Sequence, residues 1–420
     1  MNYREEESHP RHKESRKTEN VLVLQGGGSL GAFACGVFKA LIKKKIRIDI
    51  AAGTSIGAVN AAIIVGSKSG HPEKDLEEFW IEIAESNPMI IPDISLFDYD
   101  SHTGGYVSKK ISSASANAAL FGVPKMFVPR WWSWQSSPLL EWQKGDVLSN
   151  NDYEKGQQQY FSDPRSWTYL YDHSPLAKTL DKYIDYKKIN LAATQEKLPS
   201  VLRLIITAVE IMTSRPLVFD NTQMEIKAKH ILASSGYPIY GFPWIEVKNG
   251  VFAWDGSLLS NTPVREVLSV SPRNDKNLFI VENYTRKIHK LPSNMAEVES
   301  RAKDIIFSDK NMDNIKMSRL ITRQIQLLER LYDVFEKVDQ SKIDPEQVKK
   351  IKTEYNTLVN NYGAEIKSVT RIIRSDVELP SILQNADFSP KTIKELISQG
   401  ESKTMEKLAY CENIHYDFNR

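Results

Sequence analysis

Residues 46–62, IRIDIAAGTSIGAVNAA, constrain the fold more than any other stretch of the chain. Ile46, Ile48, Ile50, Ala51 and Ala52 form a short apolar run that leads into Gly53-Thr54-Ser55-Ile56-Gly57, and a small apolar, helix-competent segment follows to Gly66. Strand, sharp turn and helix in that order is the layout of a nucleophile elbow, which carries its serine at the tip of a strained turn. Gly53 and Gly57 make room where strand and helix approach too closely for side chains. Ser55 is then exposed at the C-terminal edge of a sheet, with the amides of the first helical turn facing any oxyanion formed there. An ordinary tight strand–helix turn has the same five-residue pattern, so the surrounding chain decides between the two.

Val21-Leu22-Val23-Leu24 is a continuous apolar run, the mark of a central strand covered on both faces. Gln25-Gly26-Gly27-Gly28 follows, then a helix predicted from about Ser29 to Lys44 with Leu30, Phe33, Val37, Phe38, Leu41 and Ile42 at helical spacing. Strand, glycine loop, helix, strand, elbow and helix make a βαβα start, hence a mainly parallel sheet between helical layers. The loop has three readings. Gly26, Gly28 and Gly31 fit a dinucleotide fingerprint, but no acidic residue follows a second strand at the required distance. An oxyanion loop, with bare amides from Gly27 and Gly28, fits beside a serine elbow. A plain tight βα turn is the third.

The charge balance is +2 with Lys and Arg spread along the chain, which argues against nucleic acid as a partner. Two cysteines, Cys35 and Cys411, make no disulfide scaffold, and the chain reads as intracellular and cytoplasmic. Residues 1–19 are almost wholly polar and read as a disordered tail without a signal-peptide core. The apolar window Ile48–Gly66 contains Asp49, Asn60 and three glycines, so no spanning helix is expected and any membrane contact is peripheral.

Residues 72–86 form a Glu-rich amphipathic helix carrying Leu76, Phe79, Trp80 and Ile83. From 99 to 170 the periodicity is lost, and Trp131, Trp132, Trp134 and Trp142 cluster beside Phe127 and Leu139. A stretch of that length reads either as a lid or lipid-facing insertion or as a loop pinned to the core by its aromatics. A helix starts at Ser174-Pro175, buried strands follow at 203–209, 216–219 and 278–281, and Val251-Phe252-Ala253-Trp254 ends in Asp255-Gly256. In the last third two amphipathic helices (319–338 and from Pro345) form an antiparallel pair, Ile366–Ile373 reads as a strand, and a helix from Ser389-Pro390 is expected to end near Gly400.

A serine nucleophile needs a base. The late histidines, His289 and His415, do not follow a strand at a glycine turn; Asp255 does, although Asp-Gly is also a common hairpin turn. Gly26-Gly27-Gly28 with Gly31, then Gly53-Thr54-Ser55-Ile56-Gly57, then Asp255-Gly256 followed by Asn261-Thr262-Pro263, resembles the patatin-like phospholipases over about residues 20–285. Ala233-Ser234-Ser235-Gly236-Tyr237-Pro238 and Phe242-Pro243 add to the likeness.

The resemblance implies a three-layer α/β/α hydrolase with Ser55 as nucleophile, Asp255 as general base without histidine, and Gly26, Gly27 and Gly28 as the oxyanion loop. Gly31, Gly53, Gly57 and Gly256 support these motifs. It further implies a catalytic domain over 20–285 with the 99–170 insertion, a mainly helical extension over 286–420, and no metal or cofactor. Leu30 departs from the basic residue frequent in the family before Gly31, and Ser257 from its small third residue after Asp-Gly. The implied reaction is acyl transfer from a lipid or other acyl ester to Ser55 and then to water, with peripheral contact to a membrane or lipid granule. A polyhydroxyalkanoate depolymerase with the same dyad and a non-catalytic lipid- or partner-binding module are the rivals; the oligomeric state is left open.

Overall fold

Alternation along the central strands sorts the core into two faces. Leu22, Leu24, Ala51, Leu204, Ile206, Phe279 and Val281 point into one cluster, and Val21, Val23, Ile50, Ala52, Ile205, Leu278 and Ile280 into another. Successive strand side chains face opposite ways, so apolar residues at every position demand a cover on both sides. The computed structural model describes all residues except 1–16, 89, 93, 101–104, 112, 131–166, 195–201, 270–273, 286, 289–290, 293–294, 309–310, 363–364, 375–383 and 418–420. Most of the expected tail, the Trp131–Trp142 cluster and His289 therefore lie outside the described residues.

In chain order the elements are β1 (Thr18–Leu24), α1 (Ala32–Lys43), β2 (Ile50–Thr54), α2 (Ile56–Gly66) and α3 (Pro72–Ser86). Then come β3 (Ile94–Asp100), β4 (Gly105–Ile111), α4 (Ser113–Phe121), β5 (Val128–Pro129), β6 (Tyr171–Asp172), α5 (Ser174–Tyr183) and α6 (Tyr186–Thr194). β7 (Arg203–Glu210), β8 (Pro216–Asp220), α7 (Ala228–Ser235), β9 (Ile245–Lys248), β10 (Val251–Asp255), α8 (Val264–Ser269) and β11 (Asp275–Glu282) complete the middle. The C-terminal third holds α9 (Met295–Phe307), α10 (Asn311–Lys337), α11 (Pro345–Tyr362), β12 (Ile366–Ile373) and α12 (Pro390–Asp417).

The main sheet runs β12-β11-β1-β2-β7-β10-β9, parallel from β12 through β7 and antiparallel beyond, with β8 also on β7. One face is covered by α1, α2, α3 and α7, the other by α8 and the start of α10, where Ile315 is buried. The result is the α/β/α arrangement expected. On α3, Leu76, Phe79, Trp80 and Ile83 are fully buried; such side chains contribute roughly 1.5–3 kcal/mol each. Trp80 Nε1 also donates to Asn60 Oδ1 at 3.1 Å, so its polar edge is satisfied.

Four local expectations change. β1 begins at Thr18, because parallel pairing with β11 extends to Thr18↔Asp275. The helix expected from Ser29 starts as a 3-10 turn, Gly28–Gly31, before α1. Ile94–Asp100 and Gly105–Ile111 form an antiparallel ribbon, Ile94↔Ile111 to Asp100↔Gly105, which the sequence did not signal. Gly400 does not end the last helix. A Cβ there would lie 2.1 Å from Phe33 O, and one on Gly36 would lie 1.8 Å from Ile397 O. The two glycines let α12 cross α1 at backbone contact. Among the described residues, no helix is long and apolar enough to cross a membrane.

Candidate active site

β7 lends one edge to two strands that run toward each other. β2 lies parallel to it from Ile50↔Arg203 to Thr54↔Thr207, and β10 antiparallel from Ala253↔Glu210 to Asp255↔Ala208. β8 occupies the other edge over Ile205–Val209. A strand has two edges, so β2 and β10 share one and their C-terminal ends meet between Thr207 and Ala208. Ser55 follows the first strand and Asp255 closes the second.

Ser55 has φ 57 and ψ −129, a conformation a non-glycine residue rarely adopts; such backbone costs on the order of 1–3 kcal/mol and persists only when its surroundings over-determine it. Here they do. A Cβ on Gly53 would lie 2.1 Å from Gly57 O, and one on Gly57 2.2 Å from Leu24 O, so strand and helix are closed on each other. The Ser55 amide donates to Ser234 Oγ at 3.1 Å, and the Ser234 hydroxyl donates to Thr207 O at 2.7 Å. Ser234 thus fastens the turn to the register at which the strands meet.

Asp255 is fully buried. Its Oδ1 accepts the Ser257 amide at 2.8 Å, while Oδ2 has no hydrogen-bond partner. Burial pushes the carboxyl up to about 6, against the downward pull of the Ser257 amide and the neighbouring Ser55 and Ser257 hydroxyls. Tyr237, Tyr240 and Tyr284 are each raised, chiefly by burial and further by the charge of Asp255, and stay neutral near pH 7. The Phe307 ring packs on Tyr237 and Tyr284 at 5.6 and 5.0 Å between centroids, so the end of α9 joins an aromatic wall beside the carboxylate. His173 Nε2 is engaged by Leu232 O at 3.0 Å, with burial pushing its pKa down; His415 is carried by α12.

The glycine loop lies next to this pair: a Cβ on Gly26 would stand 2.9 Å from Ser55 Cβ. Gly27 and Gly28 have φ 157 and 57, which glycine alone adopts freely. The Gly26 amide donates to Asn261 O at 3.1 Å, which leaves Gly27 and Gly28 as the loop's candidate donors to a ligand. Gly31 packs on Ile56 and Gly256 on Thr207. At the two departures from the family pattern, Leu30 is buried and Ser257 donates its hydroxyl to Asn261 Oδ1 at 2.9 Å. Gly28 faces Asn385 O, and Ser29 Oγ donates to Gln384 O at 3.2 Å, so a 3-10 turn from the C-terminal third, Gln384–Ala386, lies against the loop. Sequence reasoning gave no role to Ser234, Asn283, Phe307 or this turn, because each acts through a contact across more than 170 residues. Among the described residues no three His, Cys, Asp or Glu side chains converge as a metal site.

A family model described as Patatin-like phospholipase matches residues 22–268. An uncharacterized protein of Acanthamoeba polyphaga mimivirus is 38% identical over 68 residues, 15% of this chain and 18% of that protein. Triacylglycerol lipase SDP1L of Arabidopsis thaliana is 49% identical over 49 residues, 12% of this chain and 6% of the lipase. The chain thus spans less than a fifth of either relative. The crystal structure of VipD from Legionella pneumophila aligns over 94% of this chain and 67% of that one at 14% identity, with a TM-score of 0.36, a likeness that carries no argument.

Proposed function

The chain belongs to the patatin-like phospholipase family, and from that premise we propose that it hydrolyses acyl esters of lipids through a Ser55–Asp255 dyad. One observation carries the reading: a serine held at φ 57 and a buried carboxylate with one open oxygen end two converging strands at neighbouring registers. Rotation of the Ser55 hydroxyl toward Asp255 Oδ2 lets the carboxylate take its proton as Oγ attacks the ester carbonyl. The tetrahedral oxyanion is met by the Gly27 and Gly28 amides, aided by the N-terminus of α2. Collapse forms acyl-Ser55, and the departing alcohol takes the proton from Asp255. Water, deprotonated by the same carboxylate, then releases the acid and restores Ser55. With a pKa of about 6, Asp255 is ionised and still basic near pH 7.

The substrate side is read as an anionic lipid surface, supported by α10. Met317, Leu320, Leu327, Leu331 and Val334 lie along one side of it, spaced three, seven, four and three residues apart, and are 50–60% exposed. Lys316, Arg323, Arg330 and Lys337, one every seven residues, border that stripe and are exposed. An apolar stripe edged with cations suits the boundary of an anionic bilayer. A second copy pairing antiparallel on the same stripe would set the basic row against itself. Leu327→Glu with Leu331→Glu is expected to abolish co-sedimentation with phosphatidylserine vesicles while hydrolysis of a soluble ester persists; undiminished co-sedimentation refutes the assignment.

The test of the dyad is fluorophosphonate labelling with parallel hydrolysis of 4-nitrophenyl butyrate by wild type, Ser55→Ala and Asp255→Asn. Loss of both signals in both variants supports the reading. Labelling that persists in Ser55→Ala, or a folded wild type inert with and without lipid, overturns it, and the inert case favours a binding module.

A further inference from the structure

Behind the glycine loop lies a buried set of three carboxamides: Gln25, Asn261 and Asn283. Asn283 is 1% exposed and follows β11 directly. Parallel pairing of β1 with β11 at Leu24↔Val281 carries it, two residues on, beside Gly26. Its side-chain nitrogen donates to Gln25 O at 3.0 Å and Gly26 O at 3.2 Å. Its amide donates to Gln25 Oε1 at 2.6 Å, and the Tyr284 amide to the same oxygen at 3.1 Å. The far side is held as well: Asn261 Nδ2 reaches Gly26 O at 3.5 Å and Phe307 O at 3.3 Å, and Gln25 Nε2 donates to Phe307 O at 3.0 Å. One carbonyl at the end of α9 therefore anchors the network.

Two features tie Asn283 to the orientation of a peptide. A trans peptide points its C=O and the following N–H in opposite directions. Carboxamide nitrogens gathered on Gly26 O therefore turn the Gly27 N–H away from the network. The other feature is an imbalance within Asn283 itself. Both donors go to loop carbonyls while Oδ1 is buried without a partner. An orphan buried acceptor costs free energy that an apolar residue of similar size would avoid. Exchanging Oδ1 and Nδ2 would put oxygen against two carbonyl oxygens, so the donors face the loop unambiguously.

We infer that Asn283, outside the matched segment 22–268, is a positioning residue for the oxyanion peptide: it holds the Gly26 carbonyl so that the Gly27 N–H is aimed above Ser55. This rests on the hydrolase reading. Removing the carboxamide frees the peptide to rotate, which weakens one of the donors whose bonds strengthen as the oxyanion forms, and leaves ground-state binding alone. Loss of an oxyanion donor typically costs about 10²–10³ in kcat; a donor that is loosened rather than deleted is expected to lose roughly ten- to a hundredfold.

The experiment uses the full chain with 4-nitrophenyl butyrate and a fluorophosphonate, comparing wild type, Ser55→Ala, Asn283→Ala, the isosteric Asn283→Asp, and Val267→Ala as a core-cavity control on the other face of the sheet. Expected is a fall in kcat of ten- to a hundredfold in Asn283→Ala, greater in Asn283→Asp, with KM within about threefold. Labelling should slow by the same factor, because the phosphonyl oxygen occupies the oxyanion site. Unchanged kcat in either folded Asn283 variant overturns the inference, as does an equal kcat loss in Val267→Ala at the same Tm. If Asn283→Ala does not fold, Asn283→Asp decides alone. A wild type that neither labels nor turns over fails the hydrolase reading itself, a result distinct from a labelled wild type with indifferent Asn283 variants.

Discussion

Replacing Asp255 by Asn should make the protein's stability less sensitive to pH, in a window that the buried carboxyl defines. Burial moves its pKa from 3.8 to about 6, a difference worth about 3 kcal/mol at 1.36 kcal/mol per unit. The sign follows from proton binding. A carboxyl whose pKa is raised by folding binds its proton more tightly in the native state, so its contribution is full below about pH 4 and is lost as pH rises through about 6. About 2 kcal/mol of that loss falls between pH 4.5 and pH 8. With about 2.1 cal/mol/K of unfolding entropy per residue over 420 residues, 2 kcal/mol corresponds to about 2 °C in Tm. Thermal unfolding of wild type and Asp255→Asn at half-unit pH steps, followed by circular dichroism, gives the difference directly. Every other titrating group cancels, and so does any constant cost of the new amide. The variant should gain about 2 °C relative to wild type from pH 4.5 to pH 8. A flat difference would mean that Asp255 is not held in a site hostile to its charge. A difference of opposite sign would mean that the ionised carboxylate is net stabilised by its neighbours, and the general-base argument would lose its physical footing.

On the proposed dyad the same carboxyl sets the rate profile: kcat/KM for a soluble ester should rise about tenfold per pH unit below about 6 and level above it, to be checked by initial rates across pH 4.5–8. Gly400→Ala puts a methyl 2.1 Å from Phe33 O at the crossing of α12 and α1, and should destabilise by roughly 1–3 kcal/mol in denaturant unfolding. Arg203→Met takes from buried Asp220 the guanidinium that grips it through Nε at 3.1 Å to both oxygens, and leaves the Thr222 amide and hydroxyl on Oδ1; a loss of about 3 kcal/mol is expected by the same assay.

Some of this chemistry was legible because it is local. The elbow can be read from Gly53, Ser55 and Gly57 since a strand that turns straight into a helix crowds its own backbone, and only glycine relieves crowding against Gly57 O and Leu24 O. The buried strands could be read because β1, β2, β7 and β11 each carry an unbroken apolar run (Val21–Leu24, Ile50–Ala52, Leu204–Ile206 and Leu278–Val281), which a sheet covered on both faces favours. The ribbon of β3 and β4 was illegible because its strands, ISLFDYD and GYVSKKI, carry no unbroken apolar run. Gly400 was misread because a glycine that ends a helix and a glycine that admits a crossing helix have the same sequence context.

What the chain determines alone is therefore the inventory: a serine that must sit on a strained turn, a carboxylate that must end a strand, and a loop with bare amides. Which edge those strands share was decided by tertiary structure. β8 takes one side of β7, so β2 and β10 must converge on the other, across some 200 residues of chain. The backing of the glycine loop was decided there too, since Asn283 and Phe307 reach it only because β11 pairs with β1 and α9 ends over the sheet. Pairing and burial between segments so far apart depend on the whole hydrophobic pattern being satisfied at once, and no local window carries that information.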